Sequence, residues 1–80
     1  MSQLRHNQQV SKMEFVMIFD VPLEDRALAR KVQRDLHKSG ARMLQQSVWK
    51  SDSLQDLISI ASLVKKAGGD ARVLKEQFVF

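Results

Sequence analysis

Apolar residues run without a break from Phe15 to Phe19, and the run stops at Asp20 before Val21-Pro22. Five apolar residues in succession leave neither side of a pleat to water, so the pattern predicts a strand buried on both faces. Pro22 ends that strand and suits a first helical turn, with Glu24 and Asp25 adding negative charge at the positive end of the helix dipole. The spacing predicts a helix from about Leu23 to Ser39, with Leu28, Ala29, Val32 and Leu36 facing inward and Gly40 as its left-handed stop. A β segment from Ala41 to about Lys50 carries Met43, Leu44, Val48 and Trp49, and Gln45-Gln46-Ser47 interrupts it as a kink or a tight hairpin. A second helix starts at Ser53 as N-cap with Asp56 three residues on. Its inward face reads Leu54, Leu57, Ile58, Ala61 and Val64, widened by Ile60 and Leu63. Lys65 and Lys66 close it on the negative dipole end, and Gly68-Gly69 terminates it. A last strand runs from Ala71 to about Leu74, and Phe78-Val79-Phe80 extends it or begins another. Residues 1–12 are polar and aperiodic, which predicts a disordered leader ahead of a single domain over residues 13–80.

The order is therefore β-α-β-(β)-α-β. With the central segment split, this is the ferredoxin-like α+β arrangement, two helices on one face of an antiparallel sheet. A continuous segment would instead give a three-stranded parallel βαβαβ sheet. The polar interruption at residues 45–47 favours the first.

Eighty residues hold one small core, and without cysteine no disulfide supports it, so dimerisation is expected. The lack of a membrane-length apolar run or a signal-peptide core leads us to expect a soluble, cytoplasmic protein. The net charge of +4 and pI near 9.9 favour polyanionic partners. Distribution says more than the total. Arg26, Arg30, Lys31, Arg34, Lys38, Arg42 and Lys50 gather seven of the thirteen basic residues in about one third of the chain. Arg26, Arg30, Arg34 and Lys38 recur every fourth residue, a ridge about 18 Å long on a helix, and three of the four could meet phosphates on one surface. The bland reading of the same ridge is a solvated face with Asp35 and Glu24 nearby.

Asp20 is the leading chemical candidate, because ligands of open α/β sheets gather at the carboxyl ends of strands. One carboxylate is too little for Mg²⁺, but two-fold symmetry would double it. The competing reading is that Asp20 caps the first helix or pairs with Arg26. Trp49 and Phe78 read as core or dimer-interface residues rather than base-stacking platforms. His6 and His37 have no partner at metal-ligand spacing, and Ser47 has no His-Asp pair to activate it.

Phe19-Asp20-Val21-Pro22, a basic helix, Gly40 and Met43-Leu44-Gln45-Gln46-Ser47-Val48-Trp49 together resemble the Cas-two family of small CRISPR adaptation proteins, over residues 15–80. A related resemblance is to the C-terminal domain of the phenylacetate-type repressors (PaaX), although 80 residues do not accommodate a complete repressor with its winged helix. The resemblance implies a ferredoxin-like homodimer whose two strand-one aspartates face each other and can hold Mg²⁺ or Mn²⁺. Some members cleave RNA or double-stranded DNA as endonucleases; others form a non-catalytic bridge between dimers of the CRISPR integrase. By position, Asp20 would be the catalytic and metal-binding aspartate, Ser47 the small hydroxyl and Trp49 the aromatic anchor. Arg26, Arg30, Arg34, Lys38 and Arg42 would contact nucleic acid, and Phe78 and Phe80 would serve the interface. Leu23-Glu24-Asp25-Arg26-Ala27 replaces the family's usual run of acids and arginines, and Gln46 stands where an aromatic or basic residue is usual. The expected function is thus a nucleic-acid-binding homodimer with metal-dependent nuclease chemistry at Asp20. The alternative is a non-catalytic scaffold or interaction module.

Overall fold

The structure, a computed structural model, describes residues 13–77. The expected leader and the residues Phe78 and Phe80 lie outside the described residues. The elements are β1 (Phe15–Asp20), α1 (Arg26–Lys38), β2 (Arg42–Gln45), β3 (Val48–Ser51), α2 (Leu54–Lys66) and β4 (Asp70–Lys75). The four strands lie in the order β2-β3-β1-β4, every neighbouring pair antiparallel, as in a ferredoxin-like fold. The parallel three-stranded alternative is excluded.

Gln46-Ser47 is the two-residue turn of the β2–β3 hairpin. No described non-glycine residue has positive φ, so this turn lacks the geometry that matches strand twist. The register shifts between Met43 and Gln45, leaving Leu44 as the extra residue of a bulge.

Both helices end alike. Gly40 and Gly68 adopt φ of 84° and 96°, and the amides after them, Ala41 and Gly69, donate back to the Leu36 and Val64 carbonyls at 3.0 and 2.9 Å. These are Schellman stops, as the sequence predicts. The start of α1 differs from expectation. The Asp25 amide bonds the Pro22 carbonyl at 2.9 Å, closing a turn, and the Asp25 carboxylate accepts from the Leu28 amide at 3.0 Å. A side chain that satisfies an orphan amide sets the boundary, so the helix begins at Arg26 rather than Leu23.

Leu28, Val32 and Leu36 of α1 and Leu57, Ile60, Ala61 and Val64 of α2 cover Met17, Phe19, Trp49 and Ala71 on one face of the sheet. Ile60, not Ile58, completes the inward face of α2. Ile58 is rotated about 100° from Leu57 and stays half-exposed, as does Leu54 in the first turn.

β1 is not buried on both faces. Met17 and Phe19 point into the core, whereas Ile18 on the opposite side is 40% exposed. Two helices cover only one face of a four-stranded sheet, so alternate residues of even a continuous apolar run reach the open side. Among the described residues, no helix is long and apolar enough to cross a membrane.

Candidate functional site

Asp20 closes β1 and is exposed. Two short connections brace its backbone. On one side the Phe19 amide donates to the Ser47 carbonyl at 3.1 Å, tying the strand end to the β2–β3 turn. On the other, Gly69 approaches so closely that a Cβ there would lie 2.6 Å from the Asp20 carbonyl oxygen and 2.8 Å from Val64 Cγ1. Only glycine fits that junction without displacing backbone.

Neither bland reading of Asp20 holds. Asp25 caps α1, and Asp20 forms no ion pair with Arg26 or with any other described residue. Across the β1–β4 ladder its direct partner is Asp70, whose Oδ1 accepts from the Ala71 amide at 3.0 Å. Two like charges thus stand opposite each other at the end of the sheet, with Arg72 next along the same face opposite Ile18. Among the described residues no group of three or more His, Cys, Asp or Glu is gathered for a metal. The donors present are carboxylates of the hard type Mg²⁺ takes, but one protomer brings fewer than a full shell. Water, substrate phosphate or a second protomer would have to supply the rest.

Ser47 sits in the exposed turn, where its carbonyl is the group that positions β1. Trp49 is a core residue, 1% exposed, and its indole N–H donates to the Gln46 carbonyl at 3.2 Å, holding the same turn from beneath. The His37 ring meets Trp49 edge to face at 5.0 Å.

The seven clustered basic residues separate into two groups. Lys31 pairs with Asp35 at 3.5 Å, Arg42 with Glu14 at 3.4 Å, and Lys50 with both Glu14 and Glu76 at 3.1 Å. Glu76 first, then Glu14, holds the Lys50 ammonium and raises its pKa above the ordinary lysine value. Arg26, Arg30, Arg34 and Lys38 are the other group, all exposed and none ion-paired to a described residue. At about 100° per residue the midpoint of this ridge lies opposite Val32, the centre of the buried stripe, so the four cations occupy the outermost face of α1. Arg42 is not brought to them. It lies across from Lys50 on the open side of the sheet, away from the helices.

Asp70, Arg72 and the close approach of Gly69 escaped the sequence reading. Strand register brings all three to Asp20, and no local pattern encodes which residues of two distant strands face each other. No protein-family model and no curated protein matches the chain, so the likeness to the Cas-two and repressor-domain patterns rests on the motif residues alone.

Proposed function

We propose that this protein is a nucleic-acid-binding homodimer of Cas-two type, working in the cytoplasm and gripping phosphates with the outward face of α1. The row Arg26, Arg30, Arg34 and Lys38 carries the reading, because none of the four has an acidic partner among the described residues while neighbouring basic residues are paired. Unpaired cations on the side of a helix farthest from the core contribute little to stability, but they suit a polyanion. Contacts of this kind fix position on a backbone without reading bases, so they do not select RNA over DNA. Arg42, paired with Glu14 on the other side of the sheet, would contribute only if it exchanged that partner for phosphate.

In this reading Asp20 and the same residue of a second protomer hold Mg²⁺ or Mn²⁺. Such an ion would supply Lewis-acid chemistry at the Asp20 end of β1. The chain's own contribution is positional: the Ser47 carbonyl and the close approach of Gly69 brace the backbone at the end of β1 that carries the carboxylate. Asp20→Ala should abolish Mg²⁺- or Mn²⁺-dependent cleavage while leaving phosphate binding intact; cleavage that persists in that variant contradicts the assignment.

A second reading is a non-catalytic dimeric scaffold, such as a bridge between integrase dimers or a relative of the repressor domain. It is favoured by the exposed pair Asp20 and Asp70, the two carboxylates that β1 and β4 bring together among the described residues, fewer than a Mg²⁺ shell takes. It predicts nucleic-acid binding without cleavage under any divalent metal.

A further inference from the structure

The row of cations on α1 is not straight. Each step of four residues carries the chain about 40° past a full turn, so Arg26, Arg30, Arg34 and Lys38 wind through about 120° from first to last. Steps of four, three and four residues hold one line instead. Arg26, Arg30, Gln33 and His37 fall within about 60° of one another, over about 16 Å of helix. His37 lies between Arg26 and Arg30 in rotation, whereas Lys38 is about 80° or more from either. The His37 side chain is exposed and yet held. Its ring meets the buried Trp49 with centroids 5.0 Å apart and planes at 88°, and Trp49 is fixed in turn by its bond to the Gln46 carbonyl. A ring anchored to the core on one side loses little freedom when its open side takes a ligand. The charged groups beside it on α1 are Arg34 and Lys38; Asp35 lies on the other side of the helix, paired with Lys31. Beneath it stand Trp49 of β3 and, opposite Trp49 on β2, Met43, neither of which titrates.

We infer that His37 is a phosphate contact of the nucleic-acid site, aligned with Arg26 and Arg30 and acting as a cation only when protonated. The inference rests on the proposed grip of α1 on phosphates and names the residue that makes that grip depend on pH. Histidine is the side chain that changes charge between about pH 5 and 8, and its protonated ring donates from both nitrogens. A protonated His37 adds a third positive group to the straight line, and the Gln33 amide is a neutral donor to the same backbone. No carboxylate is among the described groups that face His37, so ligand phosphate supplies the counter-charge. Trp49 is the one tryptophan of the chain, so its emission reports on the ring beside it.

The test is the salt dependence of binding to an oligonucleotide duplex at about pH 5.5 and about pH 8. In wild type the logarithmic slope should be steeper at the lower pH by about one for each protomer that engages the duplex. His37→Gln should lose that difference, and His37→Lys should show the steeper slope at both pH values. His6→Gln, which changes the chain's other histidine, should behave as wild type. A protonated imidazole quenches a neighbouring indole, so Trp49 emission should fall as wild type is acidified. Saturating duplex should move the midpoint of that fall upward by about one pH unit, the counterpart of about a tenfold preference for the protonated form. A merely structural His37 would move neither the slope nor the midpoint. Wild-type binding with one slope at both pH values, or a pH difference that survives His37→Gln, overturns the inference and leaves the ridge standing. A wild type that binds no duplex at either pH overturns both.

Discussion

Asp20 and Asp70 face each other directly across the β1–β4 ladder, at the end of the sheet bounded by the Gln46-Ser47 turn and the Gly68-Gly69 junction. Opposed like charges destabilise an antiparallel pair. Asp70→Asn keeps an acceptor for the Ala71 amide and removes one charge. In urea unfolding it should raise stability by a few tenths of a kcal/mol. Unchanged or lower stability would show that the two carboxylates do not repel.

Gly68 and Gly69 are adjacent but are glycine for different reasons. A Cβ at Gly68 meets nothing within 4 Å, but its φ of 96° disfavours any side chain. At Gly69 the obstacle is the Asp20 carbonyl and Val64. Gly68→Ala should cost about 1 kcal/mol, and Gly69→Ala about 2–3 kcal/mol because backbone must move. Chemical denaturation ranks the two, and the reverse order contradicts the close approach.

Trp49 fills the core and also fixes the hairpin turn through the Gln46 carbonyl. Trp49→Ala should cost about 3–5 kcal/mol, whereas His37→Ala, losing one exposed edge-to-face contact, should cost about 1 kcal/mol or less. Thermal unfolding of both variants measures the difference.

Lys50 gains two carboxylate partners on folding, so its folded pKa stands above its unfolded value. The stabilisation is fully present below the unfolded lysine pKa and is lost as pH rises through the folded one. Wild type should therefore lose stability in the alkaline range relative to its own value at neutral pH, and Lys50→Met should flatten that decline. Parallel pH profiles for the two proteins would contradict the Glu76–Lys50–Glu14 network.

Much of the fold is legible because it is written locally. Ser53 accepts from the Asp56 amide, Gly40 and Gly68 stop their helices, and Leu28, Val32 and Leu36 turn inward as their spacing predicts. Expectation fails where a local pattern competes with a longer-range fact. The apolar run of β1 does not disclose that both helices lie on one side, and Pro22 does not disclose that Asp25 caps α1. The candidate site is legible only in half: Asp20 is conspicuous in sequence, but Asp70 and Arg72 reach it through strand register. The basic cluster needed the structure to divide it, since the acids that neutralise Arg42 and Lys50 lie far away in sequence at Glu14 and Glu76.

The salt dependence of nucleic-acid binding tests whether the ridge on α1 grips phosphates. If three of the four cations meet phosphates, the logarithm of the duplex association constant should fall against the logarithm of salt with a slope of about −3 for each protomer that engages the duplex. Replacing Arg26, Arg30, Arg34 and Lys38 together by Gln should abolish most of the slope and the affinity, with the fold retained because all four are exposed. A wild-type protein that does not bind, or a quadruple variant that keeps the wild-type slope, would contradict the account.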